Sequence, residues 1–177
     1  MKTIKVAVSG FSGCGNTTVS HMLAELLGVP CINYTFRNLA TDLQMELSDI
    51  IDKAQTDLSF DRMVDSKQLE LASAGPCVLG SRLAVWLLKE ADLRIFLTAS
   101  PEVRAKRISE REKTSLETTL TFTQKRDAQD SERYRTLYNI DNKDYSFVDL
   151  VINTEYYTPE KICHIIKAAL DEKLKSN

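Results

Sequence analysis

The sequence predicts an α/β protein: a five-stranded parallel sheet flanked by helices, in one domain. Three observations lead there. Short apolar runs alternate with helical stretches along the whole chain, the pattern of strands joined by helical crossovers. A glycine-rich segment, Gly10 to Gly15, separates the first run from the first helix. The chain's 177 residues are enough for one domain with one core.

Residues 4–9 read as a short buried strand. The helix that follows carries Val19, Met22, Leu23, Leu26 and Leu27, at steps of three and four that make one apolar face, and Gly28 stops it. Residues 29–34 form a second strand. Residues 35–74 are mostly helical, with apolar steps at Leu47, Ile50, Ile51 and Ala54. A third strand over 76–79 leads into a short helix through Leu83, Val85, Trp86, Leu87 and Leu88, with Trp86 as a core residue. Residues 93–98 are a fourth strand. Ser100-Pro101-Glu102 then opens a helix, serine as cap and proline in the first turn. Thr114-Ser115-Leu116-Glu117 has capping-box spacing and starts a charged segment that reaches Asn142 and holds few aliphatics, so its helices pack only in part. In that segment Tyr134 and Tyr138 share a helical face and would anchor it to the sheet. Residues 149–153 are a fifth strand, and Thr158-Pro159-Glu160 opens a last helix with the face Ile162, Ile165, Ile166, Ala169 and Leu170.

Within the single domain of residues 1–177, the core is thus 1–34, 75–113 and 143–177. The segments 35–74 and 114–142 exceed what a crossover needs, and such insertions on a rigid sheet are where substrate lobes and lids are found.

Composition narrows the function. Hydrophobic residues at 43% and charged ones at 27% suit a soluble globular chain. No apolar run approaches the ~18 residues of a membrane span, and the start of the chain lacks the apolar region of a signal peptide. The expectation is a cytoplasmic monomer with no membrane partner. Lys plus Arg number 23 against 25 Asp plus Glu, a formal charge of −2, which leaves no basic excess for nucleic acid. Cys14, Cys31, Cys77 and Cys163 show no C-x-x-C spacing and read as free thiols. His21 and His164 both fall in helical stretches, which argues against a histidine metal site or a Ser-His-Asp triad.

The segment Gly10-Phe11-Ser12-Gly13-Cys14-Gly15-Asn16-Thr17-Thr18 follows the phosphate-loop pattern G-x-x-x-x-G-K-[ST] at Gly10, Gly15 and Thr17. Glycines let the backbone turn its amides toward a phosphate, the next helix adds its positive end, and Thr17 places a hydroxyl for a metal ion. Asn16 stands where the pattern has lysine. A purely structural glycine turn is the alternative.

This loop is accompanied by Tyr34-Thr35-Phe36-Arg37-Asn38-Leu39-Ala40, by Asp61-Arg62 with Asp65-Ser66-Lys67-Gln68, and by Val78-Leu79-Gly80-Ser81-Arg82-Leu83. Further on come Arg126-Asp127 with Asp130 and Arg133, Tyr138-Asn139-Ile140-Asp141, and residues 149–154. In that order they resemble cytidylate kinase of the archaeal type, nearly end to end. The resemblance implies the phosphate-loop nucleoside-monophosphate kinase fold, with 35–74 as the acceptor-binding insert and 114–142 as the lid. It implies ATP as donor, CMP and dCMP as acceptors, and Mg2+ as cofactor. In the similar kinases the lysine position is often threonine, and an acid tends to stand two residues before the arginine that matches Arg82; here that position is Gly80.

A kinase whose acceptor is already an anionic phosphate needs positioning and charge neutralisation more than a base. Arginine suits this because its planar fork pairs two phosphate oxygens. Arg37 and Arg82 follow the second and third strands, and the resemblance assigns both to the acceptor phosphate; exposed ion pairs are the alternative. Arg104 and Arg107, three apart on one helix, are candidates for the donor phosphates together with the loop, and Arg111 continues their face. Arg126 and Arg133, seven apart with Asp130 between, would bridge the two nucleotides, though a charged amphipathic helix has the same spacing. Arg82, Arg126 and Arg133 are the candidate catalytic residues. Cytosine needs an acceptor for its amine and donors for its ring nitrogen and carbonyl; Asp61, Asp65, Lys67 and Gln68 offer both kinds within two turns, and Asp130 is a further acceptor-site candidate. Two rivals remain: a kinase of this fold with another acceptor, such as AMP, UMP or a small alcohol, and a nucleotide-binding regulator without turnover, which Asn16 and Gly80 would favour.

Overall fold

A computed structural model describes residues 4–175. Five parallel strands form one sheet in the order β2-β3-β1-β4-β5: β1 Lys5–Gly10, β2 Cys31–Ile32, β3 Cys77–Gly80, β4 Leu93–Thr98 and β5 Leu150–Asn153. Between and after them run α1 Asn16–Leu27, α2 Phe36–Leu43, α3 Leu47–Lys53, α4 Ser59–Ser73, α5 Ala84–Leu87, α6 Pro101–Glu112, α7 Leu116–Tyr138 and α8 Pro159–Lys175.

The alternation of side chains along β1 divides the core. Val6 and Val8 face a cluster with Leu23, Ile162 and Ile166 from α1 and α8, while Ala7 faces one with Val85, Leu88 and Phe96. On that second face Phe96 stacks on Tyr145 at 4.2 Å and takes Trp86 edge-on at 5.8 Å between centroids. Trp86 is thus a packing residue, as expected. A third, smaller cluster of Leu39, Ala40, Ile50 and Val64 joins α2, α3 and α4, with Tyr34 packed against it, while Ala72 of α4 belongs to the second cluster.

Several expectations need correction. The face of α1 turned inward is Val19, Ser20, Leu23 and Ala24, and Leu26 is exposed. Small residues are selected because α1 lies close to the end of β3: a Cβ on Gly80 would meet Ser20 Oγ at 2.3 Å. Likewise Ile51 and Ile165 are exposed, and Cys163 takes an inward place on α8. The second strand keeps only two residues, at an edge of the sheet where it pairs with β3 alone. The charged segment after Thr114 is one 23-residue helix, capped by Ser115, whose Oγ accepts from Thr118 N–H. Thr114 instead pairs its hydroxyl with that of Thr119 at 2.7 Å.

The central strand β1 pairs with β3 on one side and β4 on the other. Connections therefore leave the carboxyl end of the sheet in opposite directions there, and a crevice opens at that point.

Candidate active site

The turn from β1 into α1 is held by Cys14 N–H donating to Phe11 O at 3.1 Å. Gly13 and Gly15 adopt φ of 85° and 89°, a left-handed region that residues with a Cβ rarely enter. Helix α1 begins with no side-chain cap and no acid in its first turn. Its first amides therefore lack intrahelical partners, and the positive end of the helix is left open to an anion.

This turn forms one wall of a cleft of about 670 Å³. The end of β3 supplies Ser81 and Arg82, α4 supplies Asp61, Asp65 and Gln68, and α6 and α7 supply Arg107, Arg111, Arg126, Asp130 and Arg133. Five arginines against three aspartates make the cleft positive in a chain whose formal charge is −2. A concave wall of one sign attracts ligands of the other, here a polyanion.

Acids hold most of these arginines. Arg82 pairs with Asp130 of α7. Across the cleft, Arg133 Nη1 of α7 donates to Asp61 Oδ1 of α4 at 3.0 Å. Beside that contact Tyr138 donates its hydroxyl proton to Asp65 Oδ2 at 2.7 Å. Tyr138 thus ties α7 to α4 and not to the sheet, whereas Tyr134 is buried beside Arg82, and burial pushes its hydroxyl up to about 12. Among the described residues Arg126 has no hydrogen-bonded partner. Burial, and next the nearby Arg82 guanidinium, lower its pKa. Two cations side by side in a cleft, one without a partner, are arranged for an anion that enters from outside.

Burial raises the two carboxyls that α4 turns to the cleft, Asp61 and Asp65. For Asp61 it outweighs the opposing pull of Arg133, and Asp65 reaches about 6. A carboxyl raised in the folded state binds its proton more tightly there than when unfolded. Its burial is therefore cost-free below about pH 4 and carries its full penalty above about pH 6. Asp65→Asn should accordingly melt higher than the parent at pH 8, with the gap closing by about pH 4. Melting curves at both values check this, and a gap independent of pH would contradict it.

Four candidates take other places. Arg104 is 5% exposed and lies behind the loop, donating to Ser12 O at 3.1 Å and to Asp127. It is no cleft residue: Asp127 and the loop carbonyl take its two terminal nitrogens inside, and its Nε is buried without a partner. Cys14 turns its side chain into the core, where burial pushes the thiol up to about 11, and its amide is spent within the turn. Arg37 lies exposed on α2, outside the cleft lining. Lys67 turns to Glu70 at 2.8 Å. By contrast Gln68 is 4% exposed, anchored through Nε2 to Tyr34 O at 2.7 Å, and its Oε1 is buried without a partner in the cleft wall. The cleft also includes Tyr34, Phe36, Ser81, Phe122 and Gln129, none of which spacing alone singles out.

Gly80 explains its own departure. Ser20 fills the space that a side chain at 80 would need: a Cβ there would lie 2.6 Å from Ser20 Cβ. Gly80→Ala should destabilise by about 1–3 kcal/mol, the cost of overpacking, and Ser20→Gly should recover much of that loss. Thermal melting of the single and double variants checks it; no recovery would place the clash elsewhere.

The oxygen donors at the loop suit a hydrated hard cation. The Thr17 hydroxyl lines the cleft, and Asn16 Oδ1 and Ser81 Oγ are buried oxygens without partners. Among the described residues no cluster of three His, Cys, Asp or Glu side chains is present.

A parallel sheet, a glycine turn feeding an open helix end and arginines converging from three segments together describe a phosphate-loop phosphotransferase. The chain belongs to the cytidylate kinase-like family, whose model matches residues 5–156. A protein named cytidylate kinase 2 from Borreliella afzelii is 40% identical over 178 residues, spanning 98% of this chain and all of the relative. A cytidylate kinase from Pyrococcus horikoshii is 40% identical over 168 residues, 94% of this chain and 88% of the relative. Among solved structures, shikimate kinase from Aquifex aeolicus aligns with a TM-score of 0.63 at 16% identity, over 98% of this chain and all of the other, a likeness of fold. No helix among the described residues is long and apolar enough to cross a membrane.

Proposed function

We propose that the protein transfers the γ-phosphate of ATP to CMP, giving ADP and CDP. Phosphate and base recognition set no demand on the 2′-hydroxyl, so dCMP belongs to the same reading. The observation that carries it is the meeting of Arg82, Arg126 and Arg133 with Asp61 and Gln68 in the cleft that the phosphate loop enters. The arginines suit phosphates, and the two side chains of α4 suit a base whose amine must donate.

The acceptor phosphate is already an anion, so no side chain has to remove a proton. The loop amides and the N-terminal end of α1 hold the donor phosphates. Arg126, with no protein partner, meets the transferred group, whose charge spreads over its outer oxygens during in-line transfer. Arg82 orients the acceptor phosphate once that phosphate competes with Asp130 for its fork. Arg133 and Asp61 meet at the cytosine edge, donor and acceptor side by side, with Gln68 Oε1 as a second acceptor for the amine. Residues 35–74 act as the acceptor-binding insert, and 114–142, mostly α7, as the lid that excludes water. Thr17, Asn16 and Ser81 would hold hydrated Mg2+, which neutralises phosphate charge when bound.

Following the label of γ-labelled ATP tests this. It should move onto CMP to give CDP. Label that emerges only as inorganic phosphate, or tight ATP binding with no transfer, would instead favour the regulator that Asn16 suggests.

A further inference from the structure

Helix α6 grips the phosphate loop from behind. Arg104 donates from Nη1 to Ser12 O at 3.1 Å, and its guanidinium lies 5.3 Å from the centroid of the Phe11 ring. The same guanidinium meets Asp127 of α7 fork to fork, Nη1 to Oδ1 at 3.2 Å and Nη2 to Oδ2 at 2.5 Å. One turn on, Arg107 donates to Gly13 O at 3.3 Å and is braced by Thr154 through two bonds of 2.8 Å.

We propose that Arg104 is a positioning residue for the phosphate loop, and that its pairing with Asp127 makes the loop's shape depend on the lid helix. The inference rests on the kinase reading above. A peptide unit is planar and trans, so its N–H points opposite its C=O. Holding Ser12 C=O on the α6 side turns the Gly13 N–H away from α6. That N–H makes no hydrogen bond among the described residues, and Gly13 lines the cleft. The next peptide is spent within the turn, since Cys14 N–H bonds to Phe11 O. The Ser12–Gly13 peptide is therefore the unit that Arg104 sets for a phosphate.

The charge on Arg104 is largely cancelled by Asp127, so its contribution is orientation. Asp127 immediately follows Arg126, the cleft arginine without a partner. Any shift of α7 that carries Arg126 onto the transferred phosphate also moves Asp127, and so acts on the fork that holds Ser12 O. Donor binding and lid position are thereby linked through one side chain 5% exposed. An ion pair that only stabilised the fold would not require its guanidinium to reach the loop as well.

Asp127→Asn and Arg104→Lys separate the two roles. The amide keeps the shape of the acid but loses its charge and one acceptor; the lysine keeps the charge but loses the fork. Calorimetry of the full chain with a non-hydrolysable ATP analogue and Mg2+, and separately with CMP, supplies the readout, with melting temperature beside it. Each variant should weaken the analogue by about tenfold or more while CMP affinity stays within about twofold, and the double variant should be little worse than either single, as coupled sites behave. Lower melting temperatures with analogue affinity unchanged in both variants would overturn the proposal and leave Arg104 a stabilising ion pair. If Arg104→Lys does not fold, Asp127→Asn decides alone, its side chain being 23% exposed. Analogue binding needs no acceptor, so a wrong acceptor assignment shows as a parent protein that fails to bind CMP and in the transfer assay, and leaves the analogue comparison standing.

Discussion

Arg126→Ala should lower kcat by about a hundredfold or more, the scale of losing a charge partner that acts in the transition state. Three features single it out among the cleft arginines. Arg82 and Arg133 are already paired with Asp130 and Asp61, whereas Arg126 has no partner to leave. It stands beside Arg82, and that neighbour together with burial depresses its pKa, so an incoming phosphate relieves both desolvation and repulsion. Asn16 in place of lysine also leaves fewer fixed cations at the loop. Arg126 makes no hydrogen bond in the folded chain, and burial and Arg82 outweigh the attraction of Asp130 and Glu112, so its removal should leave the melting temperature unchanged or raised. Arg133→Ala should lower it, since Asp61, with its side chain 12% exposed, would lose its counter-charge. Steady-state kinetics decide the matter: a raised KM with kcat intact would mean uniform binding in place of transition-state stabilisation.

Asp61→Asn should reduce kcat/KM for CMP by roughly tenfold to a hundredfold, the loss of a hydrogen bond to a charged acceptor. It should also shrink the preference for CMP over UMP. An ionised carboxylate only accepts, which suits the cytosine amine and opposes the carbonyl that uracil carries at that position. The amide can donate as well, so it tolerates uracil. Kinetics with both acceptors separate this from a plain anchoring role: if Asp61 only holds Arg133, CMP and UMP should lose rate equally.

Much of the sheet is legible in local signals. Residues 93–98 form β4 over the range that their apolar run marks, Ser100 and Pro101 open α6, and Gly28 closes α1. These depend on neighbours within a few positions. What escapes the sequence depends on distant ones. The inward face of α1 includes Ser20, which packs on Gly80 sixty positions away, where a Cβ would lie 2.6 Å from Ser20 Cβ. Spacing sets Arg104 and Arg107 on one side of a helix but does not say that this side is turned toward the back of the loop. Nor does it pair Arg133 with Asp61, 72 positions apart. Lys67 and Gln68 are adjacent, and only the docking of α4 on the loop after β2 turns one inward and leaves the other with Glu70. The candidate site is thus readable as a set of residue types and blurred as a set of contacts.

The measurement that bears most directly on the central claim is kcat/KM for CMP, UMP, AMP and GMP at a fixed concentration of ATP and Mg2+. CMP should lead, with UMP below it and the purine monophosphates far behind. AMP or GMP turned over more efficiently than CMP would contradict the account, because it would remove the reason for placing Asp61 and Gln68 at the base.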